Sequence, residues 1–322
     1  MNTNQLGEIV AQYLYCCRIE AKSPKTIAWY RQKLYYFVAF MNNRGLTTIE
    51  QIGRDDVRSF LHHLQSEVRA DSNNPRKPSR EDGLSPFTVA GYMRSLRAFF
   101  NWAVEEGILE DSPIRGLRLP QVPQLTMRYF SEDEMRRILN ANTRKTSIGF
   151  RNYTILLMLF DTGIRASELA SLQMKDLHLA EGYIKVWGKG ARERIVPIGY
   201  NCRRTLSRYI RKYRPEPADP FTNNVFLTRD SRPLRPDYVY KIVRQACEKA
   251  GIKGRRLGPH TCRHSFARLF LLHGGDLLTL QRILGHSSLD MVSNYINLNT
   301  KALVQQHRRF NPIDRLLDSV VF

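Results

Sequence analysis

Two histidines and an arginine lie close together in the segment from His260 to His264, which reads His-Thr-Cys-Arg-His. Gly258 and Pro259 directly before it are typical of a helix start, which would place His260 and Arg263 on one helix face. Two imidazoles and a guanidinium can together hold a phosphate and move a proton. A basic helix face could carry the same spacing by chance. Zinc is a weaker alternative, because Arg263 within the cluster would repel a cation.

A second arginine, Arg165, follows a glycine that interrupts an apolar helical segment. Gly163 predicts the end of one helix, and another helix is expected to begin directly after it. Glu168 lies three residues beyond Arg165, so its carboxylate can orient the guanidinium. The alternative is an exposed Arg–Glu pair, worth only about 0.2–0.5 kcal/mol.

Three further candidates stand beside glycines or in the C-terminal part of the chain. Lys189 lies between two glycines in a predicted turn. Gly285 predicts a helix C-terminus, with His286 directly after it. Tyr295 follows nine residues later, and such a tyrosine taken alone favours a place in a core or an interface.

The elements that must position these residues are predominantly helical. The segments 182–187 and 192–198 predict the two strands of a β-hairpin around Lys189. Ser131 and Glu134 form a predicted capping box at the start of the same domain. This domain is therefore expected to be mostly helical with a small sheet.

The first part of the chain predicts helices with short breaks. Ser-Pro-x-Thr occurs at residues 23–26 and again at 85–88, and each copy favours a helix start with serine at the N-cap. Apolar residues follow both starts at helical spacing. The opposite faces of these two helices carry basic residues, for which a solvated surface and DNA contact are both open interpretations: Arg31, Lys33, Arg94 and Arg97.

Charge is distributed unevenly along the chain. The 322 residues contain 50 Lys+Arg and 30 Asp+Glu, a formal charge of +20. Residues 1–125 hold 16 basic and 13 acidic side chains, whereas residues 126–322 hold 34 and 17. A polyanion, most commonly nucleic acid, is the natural partner of the second part. Prolines within residues 119–126 predict an extended linker between a domain at 1–118 and another at 127–322.

Other classes of protein are excluded by composition. The longest apolar run is about seven residues, far short of the roughly 20 that a membrane helix needs. No secretion signal is expected at the N-terminus. The five cysteines have no CxxC spacing and favour reduced thiols in a cytosol. Membrane-spanning, secreted-disulfide and zinc-finger proteins are therefore excluded, and a cytoplasmic location is predicted.

Six of these residues, taken together, resemble the active site of the tyrosine recombinases, the family of phage integrases and Xer-type recombinases: Arg165, Lys189, His260, Arg263, His286 and Tyr295. Four motifs carry the resemblance in the family's order: TGIRASEL, GKGARERIVPI, HTCRHSFA and LGHSSLDMVSNYI. The two Ser-Pro-x-Thr helices and the linker resemble the family's core-binding domain. The resemblance thus covers essentially the whole chain, with no departure at the six positions.

The resemblance implies a fold and a chemistry. The fold would be an all-α, SAM-like core-binding domain followed by an α+β catalytic domain, the two closing on DNA as a C-shaped clamp. Tyr295 would attack a DNA phosphorus and form a 3′-phosphotyrosine. Lys189 would protonate the departing 5′-oxygen, while Arg165 and Arg263 would bind the nonbridging oxygens.

The remaining roles also follow from the resemblance. His260 would assist proton transfer from the tyrosine, and His286 would hydrogen-bond a phosphate oxygen. Glu168 and His264 would support the arginines and His260. The family resemblance implies no metal, no cofactor and no ATP.

The expected partner is double-stranded DNA with inverted-repeat core sites, bound on paired sites by a homotetramer or by this chain together with a related recombinase. Residues 298–322 would form a tail that either packs on its own domain or docks on a neighbouring protomer. The biological role stays open between integration or excision of a mobile element and Xer-like dimer resolution. Two alternative functions are DNA relaxation of the type IB topoisomerase kind and a catalytically silent DNA-binding accessory protein.

Overall fold

The computed structural model describes residues 4–68, 83–118, 127–188, 193–254 and 256–285. The chain divides into two compact units, residues 1–125 and 126–322. The described residues are mostly helical and include one small antiparallel sheet, which confirms the predicted fold class. None of the helices in these ranges is long and apolar enough to cross a membrane.

The first unit is helical throughout its described residues. Its helices are α1 (Leu6–Ile19), α2 (Pro24–Asn42), α3 (Arg54–Ser66) and α4 (Pro86–Glu105), with a 3-10 turn at Ile49–Gln51. The starts of α2 and α4 confirm the Ser-Pro-x-Thr prediction, because the Ser23 and Ser85 hydroxyls accept hydrogen bonds from backbone N–H groups three residues later. Aromatic rings fill the core between these helices, as where Phe37 and Phe60 pack edge to face.

The second unit surrounds its long helix α6. Its elements are α5 (Glu132–Asn140), α6 (Ser147–Thr162), α7 (Ala166–Ser171), β1 (Leu177–His178), β2 (Tyr183–Trp187), β3 (Glu193–Pro197), α8 (Tyr200–Lys212), α9 (Pro236–Lys249), α10 (Pro259–Leu272) and α11 (Leu277–Leu284). Helix α6 packs against both α8 and α10. The capping box of Ser131 and Glu134 opens α5 as expected.

The sheet has the strand order β1-β2-β3 with antiparallel pairing. Both predicted strands are present and pair antiparallel, with Ile184 opposite Val196 and Val186 opposite Arg194, while the predicted turn between them lies outside the described residues. The structure adds β1, a strand of two residues, too short for alternation to reveal.

Two helices of this unit end at glycines in the left-handed region, as predicted. Gly163 follows α6 with φ +63°, and Gly285 follows α11 with φ +65°. Both positions are also crowded. A Cβ at Gly163 would approach Phe266 to 2.6 Å, and one at Gly285 would approach Arg194 to 2.9 Å. Glycine therefore provides both the backbone conformation and the space at these two helix ends.

Candidate active site

Arg165 lies at the N-cap of α7, two residues after the left-handed turn at Gly163. Its Nη1 donates to Oε1 of Glu168 at 2.7 Å, and its backbone N–H donates to Oε2 at 2.8 Å. The Glu168 side chain is only 3% exposed, whereas that of Arg165 is 33% exposed. Because the carboxylate is buried, the exposed-pair interpretation of this spacing is wrong, and Glu168 orients a guanidinium that solvent can reach.

A second guanidinium, that of Arg194 on β3, binds the same carboxylate. Its Nη1 and Nη2 donate to Oε1 and Oε2 of Glu168 at 2.9 and 2.8 Å, and its Nε donates to the Ile283 carbonyl at 2.8 Å. The sequence interpretation missed this residue. Strand alternation could have found it, because Arg194 shares a face with the buried Val196, and a charge facing inward needs a partner.

The electrostatics of this cluster favour a permanent negative charge on Glu168. Burial alone would raise the pKa of its carboxyl, but hydrogen bonds from Arg194 and Arg165 lower that pKa to about 2. The three side chains of Arg165, Glu168 and Arg194 thus hold two positive charges against one negative charge. The excess positive charge suits an anionic ligand such as a phosphate.

Arg263 on α10 joins the ends of two helices. It is buried, with its Nη1 donating to the Gly163 carbonyl at 2.8 Å and its Nη2 donating to the Leu284 carbonyl at 2.7 Å. These carbonyls belong to the C-terminal ends of α6 and α11, where the helix dipole favours a cation. Each Nη carries two hydrogens, so each can donate a second hydrogen bond besides the one to a carbonyl. The geometry places Arg263 at the same Gly163 turn that leads into Arg165.

The two histidines of the HxxRH segment differ in their surroundings. His260 is exposed in the first turn of α10, with its ring 6.2 Å from that of Tyr240. His264 is partly buried, and burial, followed by the charges of His260 and Arg263, lowers the pKa of its imidazole to about 4. His264 is therefore neutral at neutral pH, which suits a supporting hydrogen-bonding role beside the arginine.

Three predicted catalytic residues, Lys189, His286 and Tyr295, lie outside the described residues. The structure does describe the residues that neighbour Lys189 and His286 in the sequence. Strand β2 ends at Trp187 and β3 begins at Glu193, on either side of Lys189 in the sequence. Gly285, at the end of α11, directly precedes His286.

The four candidate DNA-contact residues occupy different environments. Lys33 is only 8% exposed, with its Nζ 3.9 Å from the Tyr92 ring centroid and 5.2 Å from that of Trp29. Burial, and then the nearby charge of Arg94, lower the pKa of this lysine. A solvated face is therefore wrong for Lys33, because aromatic packing between α2 and α4 covers its side chain.

The other three residues of this set are arginines that are less buried. Arg31 and Arg94 are exposed, and the Nε of Arg94 donates to the Ala90 carbonyl at 3.3 Å. Arg97 is partly buried and donates from Nη2 to the Leu117 carbonyl at 3.0 Å. Contact of these residues with DNA stays a prediction.

Comparison with known proteins places both units in one family. The model of the phage integrase family matches residues 128–302, and that of the phage integrase SAM-like domain matches residues 10–118. The chain is 30% identical over 311 residues to tyrosine recombinase XerD of Listeria innocua, covering 95% of this chain and 99% of the relative. It is 31% identical over 313 residues to XerD of Staphylococcus aureus, covering 94% and 98% respectively.

Solved structures show the same fold. The crystal structure of XerA recombinase aligns with a TM-score of 0.51 at 27% identity, covering 96% of this chain and 99% of that one. The Tn1549 transposon integrase, in complex with transposon right end DNA, aligns with a TM-score of 0.74 at 18% identity, covering 95% and 99%. With the arginine, glutamate and histidine motifs folded as described, the chain belongs to the phage integrase family of site-specific tyrosine recombinases.

Proposed function

We propose that this recombinase cuts and rejoins double-stranded DNA through a 3′-phosphotyrosine intermediate on Tyr295. The observation that carries the proposal is the meeting of Arg165, Glu168 and Arg263 at the Gly163 turn, within a chain of this family. Two guanidiniums held by buried partners form a rigid cationic site for one phosphodiester, which is what phosphoryl transfer requires most from a protein.

The first step is attack by the Tyr295 phenolic oxygen on the scissile phosphorus. A bond forms between that oxygen and phosphorus, and the bond from phosphorus to the 5′-oxygen breaks. His260 assists removal of the phenolic proton, and Lys189 supplies a proton to the departing oxygen, which leaves as a hydroxyl.

The charge that develops on the phosphorane oxygens is stabilised by the two arginines. Arg165 and Arg263 donate to the nonbridging oxygens, and His286 hydrogen-bonds one of them. Rejoining reverses the chemistry, with the 5′-hydroxyl of the partner strand attacking the phosphotyrosine. One phosphodiester is exchanged for another, so we propose that the reaction needs no metal, no cofactor and no ATP.

We also propose the assembly and the setting. The substrate would carry inverted-repeat core sites bound by a homotetramer, or by this chain together with a related recombinase. The reaction would serve either integration and excision of a mobile element or Xer-like dimer resolution, in the cytoplasm where its DNA lies. XerH bound to difH and the Tn1549 integrase bound to transposon DNA support a DNA substrate, because this chain shares their fold.

A nicked suicide substrate tests the proposal. The 5′-hydroxyl released by cleavage diffuses away from such DNA, so the wild-type protein is expected to accumulate covalently attached to it. Tyr295→Phe should bind the same DNA without forming the adduct, since it lacks the attacking oxygen. Adduct formation by Tyr295→Phe would assign the nucleophile to another tyrosine, such as Tyr183, Tyr200 or Tyr238.

A second assay separates the alternatives. Recombinant products from paired sites indicate strand exchange, whereas relaxation of supercoiled DNA without exchange indicates topoisomerase chemistry. DNA binding with neither adduct nor product would indicate an accessory protein.

A further inference from the structure

Arg194 contacts three elements of the second unit at once. It projects from β3, and both of its terminal nitrogens donate hydrogen bonds to Glu168 on α7. Its Nε donates to the Ile283 carbonyl in the last turn of α11. Its side chain is only 12% exposed. Its guanidinium alone reaches both oxygens of this buried carboxylate, whereas Arg165 reaches the second oxygen through its backbone N–H.

The contact with Glu168 determines how that carboxylate meets Arg165. Oε1 of Glu168 accepts from Nη1 of both arginines, and Oε2 accepts from Nη2 of Arg194 and from the Arg165 backbone N–H. Both oxygens are therefore fixed from two sides. Without Arg194, both oxygens would be held only from the Arg165 side, and the carboxylate would lose the second set of donors that fixes its plane.

The C-terminal end of α11 packs against the Arg194 side chain. A Cβ at Gly285 would lie 2.9 Å from Cδ, 3.0 Å from Nε and 3.1 Å from Nη1 of Arg194. The glycine backbone thus packs directly on the side chain, and the residue that follows it is His286. Arg194 also lies five residues after Lys189 in the sequence, so it anchors the strand that follows that lysine along the chain.

We infer that Arg194 is a positioning residue for DNA cleavage, which fixes the Glu168 carboxylate that orients Arg165 and ties β3 to the end of α11. The inference rests on the proposed function, since it concerns the same reaction. Arginine is required because three N–H groups in a planar fork reach two carboxylate oxygens and a carbonyl together. Lysine offers a single ammonium and cannot reproduce that arrangement.

The test compares single-turnover cleavage by Arg194→Gln, Glu168→Gln and the double variant on a suicide substrate. A second substrate carries a methylphosphonate at the scissile position, where a neutral methyl replaces one nonbridging oxygen and removes the charge that Arg165 would stabilise. Arg214→Gln is the matched control, because Arg214 is a partly buried arginine of the same unit that donates to the Asn224 and Val225 carbonyls.

Arg194→Gln is expected to slow cleavage of the ordinary substrate about 10- to 100-fold, the scale of a small misplacement of a reacting group. The double variant should be no slower than the slower single variant, because both act through one carboxylate. On methylphosphonate DNA the defect should largely disappear. Arg214→Gln should lower the melting temperature, but its cleavage rate relative to wild type should be the same on ordinary and methylphosphonate DNA.

Three results would overturn the inference: cleavage by Arg194→Gln at the wild-type rate, an equal defect on both substrates, or defects that multiply in the double variant. If Arg194→Gln does not fold, Arg194→Lys replaces it with the same expected results. Full cleavage activity of Arg194→Lys would also overturn the inference. Failure of the proposed function looks different, because the wild-type protein itself would then form no adduct.

Discussion

At the scale of single residues, the site depends on a buried carboxylate shared between two guanidiniums. Glu168 stays charged because Arg165 and Arg194 offset its loss of solvation, and they lower its pKa to about 2. Replacing Glu168 would remove the shared partner of both guanidiniums and leave the buried Arg194 with only its bond to the Ile283 carbonyl, which is more destabilising than the loss of a surface ion pair. The network should therefore influence both the stability and the chemistry of the protein.

The lowered pKa predicts a specific dependence of stability on pH. A carboxyl whose pKa falls on folding stabilises the native state fully above its ordinary pKa of 4.5, and this stabilisation is lost as the pH falls towards about 2. The shift corresponds to about 3 kcal/mol. The difference in unfolding free energy between wild type and Glu168→Gln should therefore shrink on acidification, as measured by urea unfolding between about pH 6 and about pH 3. A difference that does not vary with pH would contradict this account.

Lys189 is the residue for which the chemistry gives the sharpest prediction. Lys189→Ala should cleave ordinary DNA very slowly, and a 5′-bridging phosphorothiolate should largely restore the rate, because sulfur leaves without needing a proton. Single-turnover rates on the two substrates check this. Lys185→Ala is the control, since the Lys185 ammonium pairs with Glu193 at 3.1 Å. Equal defects of Lys189→Ala on both substrates would make Lys185 the better candidate for the acid.

The contacts within this cluster were only partly predictable from the sequence. The spacing of Arg165 and Glu168 was enough to predict their contact, because three residues separate neighbours on a helix face. Strand alternation could have marked Arg194 as facing inward, but its contact with Glu168 spans 26 residues of sequence, and no local spacing identifies such a partner. Likewise, the burial of Lys33 depends on Tyr92 of another helix.

At the scale of elements, the C-terminal ends of two helices position the residues of the site. Gly163 and Gly285 end α6 and α11 in left-handed turns, and Arg263 donates to the Gly163 carbonyl and to that of Leu284, directly before Gly285. These ends were predictable, since glycine after an apolar helical run is a common stop signal. The two-residue strand β1 was not, because its pairing with β2 rather than its own sequence defines it.

Gly285→Ala tests the packing at one of these ends. A left-handed backbone costs a non-glycine residue roughly 1–2 kcal/mol, and here the new Cβ would also press on the Arg194 side chain. The variant should therefore lose stability and cleave more slowly. Gly251→Ala is the matched control, because Gly251 has φ +70° with no atom within 4 Å of an added Cβ. Equal melting temperatures and equal cleavage rates for the two variants would argue against the Arg194 contact.

At the scale of the whole molecule, the two-unit organisation and the uneven charge were visible in the sequence. The second unit carries most of the excess positive charge, which fits the proposed role of this unit in binding the scissile phosphate. Assembly on DNA was less accessible to prediction, because a tail of mixed apolar and basic residues fits its own domain and a neighbouring protomer equally well. Removal of the tail is the experiment that chooses between the two arrangements.

A chain shortened after Thr300 provides that experiment. If the tail docks on a neighbour, the shortened protein should bind a single half-site normally, but it should lose cooperative binding to the full site and recombination. A gel-shift titration measures both kinds of binding. Full-length Tyr295→Phe is the control, because it keeps the tail while lacking the nucleophile. Undiminished cooperativity of the shortened chain would assign the tail to its own domain.

The long sequence separations within the site have a consequence for biosynthesis. Arg263 binds a carbonyl 100 residues earlier in the chain, and Arg194 binds one 89 residues later. Contacts of this kind form late in folding, because the intervening chain must first be ordered. A nascent polypeptide on the ribosome that has not yet delivered Ile283 and Leu284 lacks one acceptor for each of the two arginines. The arginine cluster can therefore be complete only after the chain has been synthesised past Leu284.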